Sequence, residues 1–68
     1  MSTYKVIELI GSSPKSWEDA VASAIVTAGK SLRDLRIAEV ADLDVQIQDG
    51  IVSAYRAKLK VSFKYQDD

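Results

Sequence analysis

From Ser53 to Tyr65 apolar and polar residues alternate without a break, with Tyr55, Ala57, Leu59, Val61, Phe63 and Tyr65 on one side and Arg56, Lys58, Lys60 and Lys64 on the other. A period of two marks a β-strand with one apolar and one cationic face. At about 3.3 Å per residue this strand runs roughly 40 Å, longer than a compact domain of this size is wide. One copy of the chain cannot cover it, so part of the sheet is expected to be finished by other subunits.

Residues 3–10 alternate more loosely, with Tyr4, Val6 and Ile10 on one face and Ile7 and Leu9 on the other, which predicts a strand covered on both sides. Gly11-Ser12-Ser13-Pro14 then breaks the chain. Ser16 suits a helix N-cap, and Glu18 and Asp19 sit in the first turn, where the helix dipole favours acids. Trp17, Val21, Ala24, Ile25, Ala28 and Leu32 recur at threes and fours, predicting a helix of about four turns with one stripe on the sheet. Lys30 and Arg33 suit its C-terminal end. Residues 35–47 read as a second strand, with Leu35, Ile37, Ala41, Leu43, Val45 and Ile47 on one face and Glu39 interrupting them. Asp49-Gly50 provides a tight hairpin into the long strand.

The predicted class is therefore α+β, in the order β-α-β-β, as a single domain over residues 1–68 with Gln66-Asp67-Asp68 as a solvated tail. If the crossover through the helix makes the first two strands parallel, the third lies antiparallel between them, in a three-stranded antiparallel-type sheet curled around the helix.

Composition narrows the function. At this length only about 60% of the unfolded surface is buried on folding, so a further staple is expected. With neither Cys nor His, disulfides and soft-metal sites are absent, leaving oligomerisation, the favoured route, or hard cations held by carboxylates. A net charge of −1 argues against a general nucleic-acid or anionic-membrane binder. No apolar run is long enough for a membrane span, and the opening residues lack the parts of a signal peptide, so a cytoplasmic location is expected.

Chemistry-bearing groups are few. Without Cys or His, nucleophilic catalysis lacks its usual nucleophile and base, and no enzymatic activity is expected. Glu18 and Asp19 are explained by helix-start electrostatics, and Gly11-Ser12-Ser13 by a turn and cap, since the second glycine and lysine of a phosphate loop are missing. Trp17 opens the helix stripe and is expected to anchor the core. The aromatics of the long strand lie opposite its cations, so no stacking platform for nucleic acid forms there. Asp42 and Asp44 share a strand face; repeated around a symmetry axis they would gather oxygen ligands for Ca²⁺ or Mg²⁺.

Three segments, KVIELIGSSPKSWEDA at 5–20, SLRDLRIAEV at 31–40 and AYRAKLKVSFKY at 54–65, together resemble the dodecins in order and spacing. The resemblance implies a hollow homododecamer that binds riboflavin, FMN or FAD in stacked pairs at its two-fold axes, a flavoprotein for storage or sequestration without turnover. The family's flavin-stacking tryptophan stands directly before the x-Glu-Val of the second strand. Ile37 takes that place here, in Arg36-Ile37-Ala38-Glu39-Val40, and offers a narrower contact that weakens flavin affinity. Arg56 matches a glutamine that hydrogen-bonds the flavin ring in some members, and Asp42 matches a polar position near the ligand's side chain. A flavin-free shell that binds divalent cations or serves an interaction role is the alternative expectation.

Overall fold

A computed structural model of the chain describes residues 2–66, with side chains through Tyr65. Strand β1 spans Thr3–Ser13, helix α1 Trp17–Gly29, β2 Leu35–Gln48 and β3 Ile51–Gln66. The sheet order is β1-β3-β2, and β3 is antiparallel to both neighbours, so β1 and β2 run parallel as the crossover through the helix requires. The expected β-α-β-β, three-stranded arrangement is the one found. Gln66 pairs with Thr3 and closes β3 rather than joining a tail; Asp67 and Asp68 lie outside the described residues.

Local chemistry sets the helix ends. Ser16 is extended, and its Oγ accepts the Asp19 N–H at 3.0 Å. Asp19 in turn accepts the Ser13 hydroxyl at 2.7 Å, and Ser13 Oγ accepts the Lys15 N–H at 3.0 Å, so the turn between β1 and α1 is satisfied within itself. At the other end the helix stops at Gly29 with Lys30 as C-cap. Leu32, expected within the helical stripe, lies beyond it, its N–H donating to the Ala28 carbonyl at 3.0 Å. Asp34 then takes a left-handed backbone angle (φ 58°), which Asp tolerates better than most residues, and turns the chain into β2. Asp49 (φ 53°) and Gly50 (φ 76°) form the expected two-residue hairpin.

β1 does not stop at Ile10. It continues because β3 offers partners, Gly11 opposite Ala57 and Ser13 opposite Tyr55. Gly11 is where the helix lies closest: a Cβ there would overlap the Ala20 carbonyl oxygen and come within 3.0 Å of Ala24 Cβ. The fully buried core is small, Ala20, Ala57, Leu59 and Val61, with Ile7, Leu9, Val21, Ala24, Ile25 and Leu35 packed against it. The chain is elongated, 52 × 20 × 14 Å, with a radius of gyration of 13.9 Å against about 11 Å expected for a compact chain of this length.

Two further expectations are corrected. β1 is covered on one side only: Ile7 and Leu9 meet the core, whereas Tyr4, Val6 and Ile10 stay 46%, 58% and 58% exposed because no element among the described residues lies on that side. β2 does not keep one unbroken face. Register shifts at Leu35/Ile37 and Val40/Asp42 each insert an extra residue, and a third lies at Gln46/Ile47. Leu43 and Val40 both oppose core residues, Ala57 and Leu59, although one is odd and the other even in number; Ile37 lies opposite Ser62, which is not a core residue.

Gly11→Ala is expected to destabilise the protein by about 1–3 kcal/mol, because the helix must move off the sheet to admit the methyl group. The denaturant midpoint at fixed protein concentration measures it.

Candidate functional site

The bulges of β2 decide what faces the cations of β3. Glu39 pairs with Lys60, Asp42 with Lys58 and Asp44 with Arg56, so three acids of one strand stand opposite three bases of the next on the face away from the helix. Glu8 of β1 flanks Lys60 from the other side. The face that looked purely cationic along β3 is therefore close to neutral once its neighbours are in place, which is the form a general polyanion binder does not take.

One rung is tied by a full ion pair. Arg56 Nε donates to Asp44 Oδ1 at 2.7 Å and Nη2 to Oδ2 at 2.8 Å, a two-pronged contact with the side chains 40% and 41% exposed. The hydrogen bond from Arg56 holds the Asp44 carboxyl below the usual carboxylate range; partial desolvation opposes this, and the charges of Arg56 and Lys58 add to it. The same hydrogen bond pushes Arg56 upward.

Trp17 belongs to this corner and not to the core. It is 37% exposed, its Nε1–H donates to the Asp44 backbone carbonyl at 3.0 Å, and its ring meets Tyr55 edge-on, 5.2 Å between centroids at 76°. The helix is seated over β1 and the middle of β3, so its first residue reaches the hairpin end of the sheet. An indole N–H needs an acceptor, and the Asp44 carbonyl supplies it.

Of the three ligand candidates, Asp42 and Arg56 share one face of the β2–β3 pair two positions apart, while Ile37 stands apart from both. Ile37 is 66% exposed beside a shallow recess of 130 Å³ formed with Ile25, Leu35 and Val61. Asp42 borders a different hollow of 470 Å³ with Glu8, Ile10, Lys58 and Lys60. Ile37 is level with Ser62 and Arg56 with Asp44, six positions away along β3, roughly 20 Å. A further groove of 510 Å³ runs between β1 and α1 past Leu9, Gly11, Ala24, Ser23, Thr27 and Ser31. Ser23 and Thr27 lie on the helix and Ser31 just past its end, a spacing by fours that no expectation from the sequence singled out. Among the described residues no three acidic side chains gather as a metal site, and Asp44 spends its carboxylate on Arg56.

Comparison with known proteins identifies the fold. The dodecin family model matches residues 3–66. The chain belongs to the dodecin family. It is 48% identical to calcium dodecin of Mycobacterium tuberculosis over 64 residues, 94% of this chain and 90% of that protein. Among solved structures, dodecin from Streptomyces coelicolor superposes with a TM-score of 0.91 at 36% identity, covering 98% of this chain and 96% of that one. A crystal structure of M. tuberculosis calcium dodecin, described as calcium chelating with a novel calcium-binding site, gives 0.86 at 45% identity over 98% and 96% of the two chains.

Because the folded pKa of Asp44 is lowered, the pair's contribution to stability is fully present above the carboxyl's unfolded pKa and fades as pH falls through the folded value. Arg56→Gln is expected to return the Asp44 titration to the ordinary carboxylate range, measured by carboxyl carbon NMR. An unchanged titration in that variant contradicts the pairing.

Proposed function

We propose that this dodecin is a non-enzymatic, self-assembling cytoplasmic protein that binds a small planar ligand of flavin type, weakly. One observation carries the reading: Ile37 stands exposed on the outer edge of the sheet, on a chain whose sheet is longer than anything it can itself cover. A second copy closing on that edge would bring two such edges together, and a pocket between copies needs no convergence of Ile37, Asp42 and Arg56 within one chain. The apolar residues left open, Val40, Leu43, Ile47, Ile51 and Val52 among them, favour assembly by the ordinary hydrophobic argument. By the family's pattern the assembly is a homododecamer. No helix among the described residues is long and apolar enough to cross a membrane.

The residues suit a flavin only in part. Ile37 offers an apolar contact where an indole would give a stacking face, and Asp42 and Arg56 offer polar contacts further along the same strand pair, toward the hairpin. Base-on-aromatic stacking contributes about 1–3 kcal/mol, so Ile37→Trp is expected to tighten riboflavin binding by about 5- to 150-fold. Fluorescence quenching of riboflavin by the two proteins reads this, with native mass spectrometry reporting the subunit number. Submicromolar binding by the unaltered protein overturns the weak-site reading, and a stable monomer at micromolar concentration overturns the assembly.

The identity to calcium dodecin favours a second reading, a divalent-cation site shared between copies. Asp42 is its better candidate, since Asp44 is held by Arg56. Calorimetry of the assembled protein should give calcium heat that Asp42→Asn removes; no heat in the unaltered protein disposes of this reading.

A further inference from the structure

The Asp44–Arg56 rung differs from the rungs beside it: its acid grips both prongs of a guanidinium, and the strand carrying that acid is itself held in place. Trp17 Nε1–H fixes the Asp44 carbonyl, and the Trp17 ring braces against Tyr55, the residue next to Arg56. The carboxylate is thus presented to Arg56 from a clamped backbone, directly across the strand pair. We propose that Asp44 is a selectivity element, an internal carboxylate that occupies Arg56 and turns away ligands bearing phosphate.

The argument is one of donors and charge, and it rests on the reading of Arg56 as a ligand contact. A guanidinium has five N–H donors in a fixed plane, and the edge formed by Nε and Nη2 is the one Asp44 uses. A phosphate therefore meets two choices. It can displace a tethered carboxylate whose effective concentration at Arg56 is on the order of millimolar or above. Otherwise it takes the outer edge of the guanidinium, within a guanidinium's width of the Asp44 charge and with Asp42 on the same face. Both choices disfavour an anion. An uncharged acceptor, such as a ring carbonyl, can use the remaining N–H groups without either penalty. The site built here discriminates by charge: it takes the neutral ring system and disfavours its phosphorylated forms. Both partners keep about two-fifths of their surface in solvent, so the guanidinium is reachable and the discrimination comes from its partner, not from burial.

The test uses the assembled protein and inorganic pyrophosphate as probe, followed by the emission of Trp17, the single tryptophan. Asp44→Asn is expected to bind pyrophosphate about tenfold more tightly than the unaltered protein, the size of one like charge removed at close range in a solvated site. The gain should be absent in the double variant D44N/R56Q. No gain in D44N overturns the proposal, and so does a gain that survives in the double variant, since it would then be general charge. Asp44→Ser serves as a second variant if D44N loses its circular dichroism signal. In parallel, the ratio of FMN to riboflavin affinity should rise about tenfold in D44N, and an unchanged ratio counts against the proposal. Riboflavin binding to none of the proteins defeats the flavin reading alone, because the pyrophosphate arm decides the role of Asp44 independently.

Discussion

The structure depends on a mismatch of lengths. β3 and α1 are of similar residue count, but a strand rises about 3.3 Å per residue and a helix about 1.5 Å, so β3 runs roughly 50 Å and α1 roughly 20 Å. The helix can cover less than half of the strand it packs on. The buried core is confined to where they overlap, around Ala20, Ala57, Leu59 and Val61, and it is tight there because Gly11 lets the helix backbone approach the sheet. Everything beyond the overlap is sheet with an open apolar side. That geometry makes association the natural completion of the fold and puts any ligand pocket at the boundary of a chain.

The opposite face of the sheet follows a second constraint. A strand bearing Arg56, Lys58, Lys60 and Lys64 at the centre of a sheet needs acids beside it, and β2 supplies all three only because the bulge at Val40/Asp42 resets its alternation between Glu39 and Asp42. Without the shift at Val40/Asp42, the residues that bring Asp42 and Asp44 opposite Lys58 and Arg56 would put Glu39 toward the core side. That one bulge lets the strand satisfy two demands, apolar contacts of Val40 and Leu43 to β3 on one face and charge compensation on the other. At the hairpin end the compensation becomes a two-pronged ion pair, fastened from behind by Trp17.

Among the ligand candidates, Ile37 and Arg56 were named by resemblance alone, whereas Asp42 was also marked by sharing a strand face with Asp44. Their separation along the sheet was not legible, because distance across strands depends on register. Trp17 illustrates the same limit. Its position at the head of an apolar stripe is equally compatible with a core anchor and with a clamp on a neighbouring strand, and only the acceptor it finds, the Asp44 carbonyl, distinguishes the two.

The sequence by itself determined the elements and their order: the period of two in β3, the Ser16 cap, the Asp49-Gly50 hairpin and the β-α-β-β succession with the long strand in the middle. These follow from interactions between residues a few positions apart, whose preferences a linear reading captures. Tertiary structure alone decided where β1 ends, why Gly11 is glycine, which way each residue of β2 faces, and that Arg56 is already partnered. Each of those outcomes depends on residues brought together from distant parts of the chain, where a one-residue slip reverses the face a side chain presents.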